Sequence, residues 1–218
     1  GFRTLMRDQF AQGMRTLCNE IEADLAGLYL YGSRAIVPND TYIFKTNLAD
    51  AANARKILMD NGAPTSELKM VVGTDAGAAL RSQATILSVI PSAQDMATQG
   101  VLINAAGFQI RESAQIKSPA IGSAANATVS TAAHAVGATS IALASAGTGS
   151  IVAGDIISFA GDPNYYVVVT GDTDVSNGGT IVIAAPGLRV AIAENASPAI
   201  TVRAKANRSM AFARSAIV

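Results

Sequence analysis

The feature that most constrains this chain is a long apolar stripe near its beginning. Its large apolar residues advance by four, four, three, four, four and three positions: Met6, Phe10, Met14, Leu17, Ile21, Leu25 and Leu28. This spacing holds the side chains on one face of a helix, which we predict for residues 4–31. A helix of this length needs a broad surface on which to bury that face.

A second helix is predicted for residues 47–60. Thr46 or Asn47 can cap its start, and Gly62 followed by Pro64 ends it. Between the two helices lies a cluster of turn-forming residues, which we interpret as a loop that could lack some residues near positions 38–41.

Strand and helix patterns then alternate. Leu68–Val72 has strand composition, and Gly73-Thr74-Asp75 is predicted to form a turn and an N-cap for a helix over residues 76–81. A short helix could begin at Pro91. Residues 108–111 alternate like a strand with one solvent-exposed face. The first part of the chain is therefore mixed α and β.

The composition changes abruptly after Ser118, where alanine, serine, threonine and glycine dominate. The apolar period becomes two, at Ile141 and Leu143, Ile157 and Phe159, Ile181 and Ile183, and Ile200 and Val202. Gly-rich or Asn/Asp-rich turns separate these pairs, which is typical of a compact all-β unit, either a small barrel or a sandwich.

The end of the chain returns to mixed character from residue 210 onward. We therefore predict an α+β fold in which residues 1–117 and 207–218 form one body and residues 118–206 form an inserted β-domain. Insertions of this kind occupy surface loops whose ends lie close together. The sequence begins at Gly1 and stops at Val218 within an apolar run, so we expect the body to be incomplete at both ends.

Composition argues against several classes of function. The chain has 218 residues, half of them apolar, with 16 basic and 16 acidic residues, so it lacks the one-signed charge of a dedicated nucleic-acid or membrane-surface binder. No apolar run is long enough to span a membrane and no signal peptide opens the sequence, so we expect a soluble, intracellular protein. Cys18 lies in the helical pattern and is expected to be a small buried hydrophobe.

Residues that could carry chemistry are few and scattered. His134 has no nucleophile or carboxylate motif around it, and Cys18 is distant in sequence, so neither a catalytic base nor a metal site is predicted. The tract 172–176 has the alternating oxygens of a calcium loop but lacks its closing glutamate, and we interpret it as an exposed hairpin turn. Asp155 and Asp162 follow glycines at turns, where aspartate caps its own backbone.

We therefore predict no catalytic, cofactor-binding or metal-binding residue and no enzyme activity. Basic residues collect in two places: Arg3, Arg7 and Arg15, and then Arg203, Lys205, Arg208 and Arg214. Neither set is interleaved with aromatics as in a single-strand nucleic-acid groove. They are interpreted as solvated faces or as intersubunit pairs.

The order of these elements resembles the major coat proteins of tailed phages and prophages with the Hong Kong ninety-seven fold. After the long helix, which would be the spine helix of that family, come Leu-Ala-Asp-Ala-Ala-Asn-Ala-Arg-Lys-Ile-Leu at 48–58 and Val-Val-Gly-Thr-Asp-Ala-Gly-Ala-Ala-Leu-Arg at 71–81. The β-rich part carries Ala-Gly-Asp-Ile-Ile-Ser-Phe-Ala-Gly at 153–161 and Tyr-Val-Val-Val at 166–169, and it resembles the inserted domain of P-twenty-two-like podoviral coat proteins. The segment 209–218 is similar to that family's return into the body.

This resemblance implies a virion capsid subunit that assembles into pentamers and hexamers in the cytoplasm of a host bacterium. It also implies a scaffolding protein, a portal and packaged double-stranded DNA, bound without sequence-specific contact, as partners. On this resemblance we expect the family's arm and extended loop before the spine helix, and its closing strands after Val218, to be missing from the sequence.

An alternative from another class is a β-rich phage tail or adhesin-type binding module on a helical oligomerisation domain. It predicts a ligand pocket or an exposed aromatic patch in the β-rich part. An enzyme of unknown class would instead need titratable groups that converge in one pocket.

Overall fold

The computed structural model describes residues 2–38, 40–83, 102, 104–203 and 207–216. Its fold is mixed α+β, with one long N-terminal helix and two β-sheets. The helices and strands of the described residues follow in chain order: α1 Phe2–Gly27, α2 Ala49–Asp60, β1 Leu68–Val72, α3 Thr74–Ser82, β2 Gln109–Glu112, β3 Ser140–Leu143, β4 Ile156–Phe159, β5 Tyr166–Thr170, β6 Gly179–Ile183, β7 Ile200–Val202 and β8 Met210–Ala213.

Helix α1 confirms the helix predicted from the apolar stripe. It continues as a 3-10 helix over Leu28–Tyr31, so the helical segment ends where the periodicity ends. The expectation that Cys18 is buried is wrong, because its side chain is exposed. The cause is the position of α1, whose residues before Ala23 are all exposed, so a residue on any face of that part meets solvent.

The first sheet gathers strands from both ends of the chain in the order β2-β1-β8. Strand β1 pairs parallel with β2 and antiparallel with β8, with Met70 opposite Ile110 on one side and Ala211 on the other. Helices α2 and α3 pack against this sheet around one apolar core. That core consists of Phe44, Ala51, Ala54, Leu68, Met70, Val72, Ala76, Ala79, Leu80, Ala105, Phe108, Ile110 and Ala213.

Two predicted helix starts need correction. Helix α2 begins at Ala49, and Asn47 supports that start by accepting the Ala49 backbone N–H at 2.9 Å. Helix α3 begins at Thr74 and has Gly73 at its cap position, with no side-chain cap. Asp75 therefore lies in the first turn, where its negative charge favours the helix N-terminus.

The second sheet has five antiparallel strands in the order β3-β6-β5-β4-β7. Residues 127–130 join its two edges. At one edge, the Ser130 N–H donates to the carbonyl oxygen of Ala142 in β3 at 2.9 Å. At the other edge, the N–H of Ile200 in β7 donates to the carbonyl oxygen of Ala127 at 2.8 Å. These bonds complete a closed ring of antiparallel pairing, which is the geometry of a small barrel rather than a sandwich.

The barrel encloses a second apolar core that is separate from the first: Ala127, Val129, Ile141, Leu143, Ile151, Ile157, Phe159, Tyr166, Val168, Val175, Ile181, Ile183, Leu188, Ile192 and Ile200. The predicted alternation is wrong for β4, whose residues are all buried. Ser158 faces away from Ile157 and Phe159 but lies beneath Arg203, which donates to its hydroxyl at 2.9 Å.

Several expectations lie outside the described residues: the short helix at Pro91, the position of Lys205 and the last two residues of the chain. The division into a body of residues 1–117 and 207–218 and an inserted domain of residues 118–206 stays a prediction. Two separate apolar cores make that division testable.

Substituting one buried isoleucine in each core tests whether the two parts unfold separately. Ile110 and Ile181 are both fully buried, the first in the β2-β1-β8 sheet and the second in the barrel. Each change to alanine should lower the stability of its own part by about 2–5 kcal/mol. We expect two transitions in calorimetry, with Ile110→Ala and Ile181→Ala each shifting a different one. A single transition that both substitutions shift equally would contradict the predicted division.

Candidate functional site

The apolar stripe of α1 is exposed to solvent in the structure. Its residues, Met6, Phe10, Met14, Leu17, Ile21, Leu25 and Leu28, have exposed fractions from 39% to 70%. Within α1 only Ala26, near the C-terminal end, is buried. A contiguous apolar surface of this size on one helix is typical of a site that another surface covers.

The stripe runs almost parallel to the helix axis. Its spacing repeats after 11 residues, from Met6 to Leu17 and from Leu17 to Leu28. A period of 11 residues corresponds to about 3.67 residues per turn, close to the 3.6 of a straight helix. With 26 residues, α1 is about 39 Å long. The stripe therefore offers a long, nearly straight strip rather than a small patch.

The C-terminal end of α1 is held against the barrel by Tyr29. The Tyr29 ring lies against Gly154, so closely that a Cβ at Gly154 would come within 2.8 Å of the Tyr29 hydroxyl. The Gly154 backbone has φ of +91°, which a residue with a side chain rarely adopts. A glycine is thus required here for two reasons, the backbone conformation and the close approach of Tyr29.

Next to Gly154, the buried carboxylate of Asp155 joins two segments of the barrel. It accepts the Gly122 N–H at 3.0 Å and the Val152 N–H at 2.8 Å. The side chain of Asp155 therefore does more than cap its own turn, because Gly122 belongs to the strand-free segment in which the β-rich part begins. This hydrogen bonding compensates for the cost of burying a carboxylate.

Arg208 reaches the same point from the segment that precedes β8. Its Nε donates to Gly154 O at 2.9 Å and its backbone N–H donates to Lys117 O at 3.0 Å. Burial lowers the pKa of the Arg208 guanidinium, while the nearby Asp155 and Tyr29 favour the charged form and oppose that shift. We refer to Tyr29, Gly154, Asp155 and Arg208 as the joint, because the end of α1, the barrel and the returning segment meet there.

Additional contacts connect the residues after α1 with the barrel. Ala35 donates its N–H to Tyr165 O at 3.3 Å, and Arg34 lies over the Tyr166 ring, 5.5 Å from its centroid. On the other side, Arg189 of the barrel donates to the Asn61 side chain at 2.9 Å, just after α2. The segment that follows α1 and the end of α2 are thus held against the barrel by packed contacts as well as by the covalent connection.

The sequence-predicted candidates for chemistry lie apart from one another. His134 is paired through its backbone with Ile192. In the tract 172–176, Asp172 accepts the Asp174 N–H at 2.8 Å and Asp174 accepts the Ser176 N–H at 3.0 Å, as expected of a turn between β5 and β6. Asp162 accepts the Tyr166 hydroxyl at 2.6 Å. Burial, followed by this hydrogen bond, raises the pKa of Tyr166 to about 12.

Among the described residues no group of three or more His, Cys, Asp or Glu side chains could hold a metal ion. In the same part of the chain no helix is long and apolar enough to cross a membrane. The absence of catalytic, cofactor-binding and metal-binding residues stays a prediction.

Sequence reasoning missed the joint and misjudged Arg208. The sequence predicts that Arg208 lies on a solvated face or in an intersubunit pair, but it is buried within the subunit. The available signal was weak: a Gly-Asp pair at 154–155 within an otherwise uncharged stretch, and an arginine just before the returning strand. Nothing in their spacing indicates that they meet.

Comparison with known proteins gives little further guidance. No protein-family model matches the chain, and no curated protein matches it. A solved structure described as Mycobacterium phage Che8 is similar over 94% of this chain and 61% of its own, with 14% sequence identity and a TM-score of 0.41. The chain thus spans less than two thirds of that structure's length, and a likeness at this level defines neither fold nor function.

The Tyr29–Gly154 contact can be tested with a matched pair of glycine substitutions. Gly154 and Gly161 have similar positive φ values, +91° and +86°, but a Cβ at Gly161 would meet nothing within 4 Å. Both Gly→Ala changes should cost roughly 1–2 kcal/mol for the backbone. We expect Gly154→Ala to cost about 1–3 kcal/mol more, because its methyl group displaces Tyr29. Equal losses in urea unfolding would contradict the contact.

Proposed function

We propose that this chain is a major capsid subunit of a tailed phage or prophage, with a body of the Hong Kong ninety-seven type and an inserted β-barrel. The observation that carries the proposal is the exposed apolar stripe of α1, which is anchored at one end by the joint. A subunit of a shell needs such a surface, because its function is to be covered by its neighbours.

The physical basis is the burial of apolar area between copies. About half of each stripe side chain is exposed, so the stripe offers several hundred Å² of apolar surface. Burying such surface contributes roughly 25 cal/mol per Å². Much of this gain is offset by the freedom that a subunit loses on binding, so each contact is weak and the shell depends on many of them.

The arrangement of the elements supports the proposal. A long helix precedes α2, β1 and α3, a barrel interrupts the chain, and β8 returns to pair with β1. The formal charge of zero suits subunits that must pack side by side without long-range repulsion.

Within this proposal, the subunits form pentamers and hexamers and close into an icosahedral shell around double-stranded DNA. A scaffolding protein and a portal are the expected assembly partners, and the site of assembly is the cytoplasm of the host bacterium. The chain carries out no chemical step, so its role is structural.

The alternative is a β-rich phage tail or adhesin-type module that binds a ligand through its barrel. It requires a pocket or an exposed aromatic patch there. The aromatic side chains of the barrel are Phe159, Tyr165 and Tyr166, of which the first and last are buried and Tyr165 is half-buried beneath Arg203. The part of the barrel that the structure describes therefore has no exposed aromatic patch, which is one of the two features that this alternative predicts.

Negative-stain electron microscopy tests the proposed function directly. The full-length protein should be expressed together with its scaffolding partner and examined for assemblies. Closed shells of uniform diameter are the expected result. A soluble monomer that forms neither shells nor rings of five or six subunits would count against the coat function and favour the binding module.

Single charges placed on and off the stripe test whether α1 carries assembly. Phe10→Glu and Met14→Glu put a carboxylate into the proposed contact, so we expect shell formation to be lost. Gln12→Glu adds the same charge on the opposite face of the same turn and should leave shells intact. Because Phe10 is 70% exposed in the subunit, Phe10→Glu should leave the melting temperature of the unassembled subunit unchanged. Shells formed by Phe10→Glu or Met14→Glu as readily as by the unaltered protein would exclude the stripe as a contact.

A further inference from the structure

The β2-β1-β8 sheet has one face that turns away from the helices of the body. Helices α2 and α3 share an apolar core with Leu68, Met70 and Val72 of β1, so both pack on the same face. The alternate residues of β1 point to the opposite face, because side chains alternate along a strand. We refer to this opposite face as the outer sheet face. It comprises Lys69, Val71, Gln109, Arg111, Met210 and Phe212, which are neighbours in the strand register.

The charges on the outer sheet face are positive. Its two charged residues are Lys69 and Arg111. The Lys69 amine donates to the side-chain oxygen of Gln109, a neutral amide that leaves the positive charge uncompensated. Arg111 is exposed, and no ion pair holds it within the part of the chain that the structure describes.

Arg214 adds a third cation directly after β8. Its N–H donates to Glu67 O at 3.2 Å, which extends the antiparallel register of β1 and β8 by one pair. The Glu67 carboxylate lies 3.3 Å from the Arg214 guanidinium, but these side chains are 59% and 72% exposed. Ion pairs with this exposure are weak, so Arg214 can exchange Glu67 for another anion.

The three basic residues lie on one diagonal of the sheet. Arg111 is opposite Val71, which follows Lys69 by two residues on β1. Arg214 is opposite Glu67, which precedes Lys69 by two residues. With strands about 4.8 Å apart and a rise of about 3.3 Å per residue, successive members have Cα atoms roughly 8 Å apart. We refer to Arg111, Lys69 and Arg214 as the basic row, which spans about 16 Å.

We propose that the basic row binds the phosphate backbone of double-stranded DNA without reading its sequence. Each DNA strand presents one phosphate about every 3.4 Å along the helix axis, so a row of about 16 Å meets several successive phosphates. This inference rests on the proposed coat function, for which it identifies residues that meet the packaged DNA. It follows that the outer sheet face is directed toward the interior of the shell.

The chemistry of the row suits phosphates rather than bases. Contacts from lysine and arginine to phosphates position a protein on DNA but carry no sequence information. On the outer sheet face, the one neutral amide that could read a base edge, Gln109, is already bonded to Lys69. The formal charge of zero does not oppose this local excess, because acidic residues such as Glu20 and Glu22 lie on α1 instead.

A weak contact of this kind is sufficient in a shell. Three phosphate contacts release about three counterions, so one subunit binds weakly and its affinity falls with salt. Many subunits around the same DNA act together, which multiplies weak contacts into firm retention. Contacts to the backbone alone also let DNA slide past the protein while it is being packaged.

Binding of the complete, unassembled chain to fluorescent DNA duplexes tests the basic row. Two short duplexes of unrelated sequence, each longer than the row, are titrated at several salt concentrations and followed by anisotropy. We expect equal affinities for the two duplexes and a slope of log K against log salt of about −2 to −3. Lys69→Gln with Arg111→Gln should weaken low-salt binding by about 10-fold and bring the slope to about −1.

Arg7→Gln with Lys56→Gln is the matched control, because it removes the same two charges from exposed positions on α1 and α2. It should change the affinity by less than about 3-fold. Both double variants replace partly or fully exposed side chains, so we expect unchanged melting temperatures and circular dichroism. A loss of binding would then not reflect unfolding.

Three results would overturn the DNA contact: no binding by the unaltered chain, an equal loss in the control, or a preference of more than about 10-fold for one duplex. A row variant that keeps DNA binding but loses self-association would also overturn it, and would indicate an acidic protein surface as the partner. Shell formation is scored separately by microscopy. Shells formed by a chain that does not bind DNA would refute the row and leave the coat function standing.

Discussion

The structure depends on the buried contacts around Asp155 and Arg208. Asp155 binds the backbone N–H groups of Gly122 and Val152, and Arg208 binds the carbonyl of Gly154. Buried charged groups are costly unless hydrogen bonds and opposite charges compensate for them. Gly122 lies near the beginning of the barrel segment and Arg208 lies just after its end. Because both contact the 152–155 turn, the two ends of the barrel segment are held at one point.

The same point anchors the C-terminal end of the long helix. Tyr29 packs on Gly154, so the end of α1 is held where Asp155 and Arg208 hold the barrel. Beyond this anchor the helix extends with its stripe uncovered, which is unfavourable for an isolated chain. In a shell of the proposed kind, the same surface would be buried by a neighbour.

Periodicity predicted the elements that lie on half-buried surfaces. It predicted α1, β2, β3, β6 and β7, because each shows one apolar face in the sequence. It did not predict that Cys18 is exposed or that Arg208 is buried, since those depend on which distant segments pack together. It also misread β4, whose second face is covered by Arg203, a contact that no local pattern indicates. The capsid-type body and the absence of a catalytic site stay predictions.

Burial of the α1 stripe between subunits is tested most directly by hydrogen exchange along residues 2–27, compared between dilute subunits and assembled particles. An isolated, solvent-exposed helix opens easily, so its amides should exchange fast in the dilute subunit, while amides of the barrel core stay protected. We expect strong protection of the α1 amides on assembly, with little change in the barrel core. Equal exchange of the α1 amides in both states would mean that other subunits do not cover the stripe, and would contradict its proposed role in assembly.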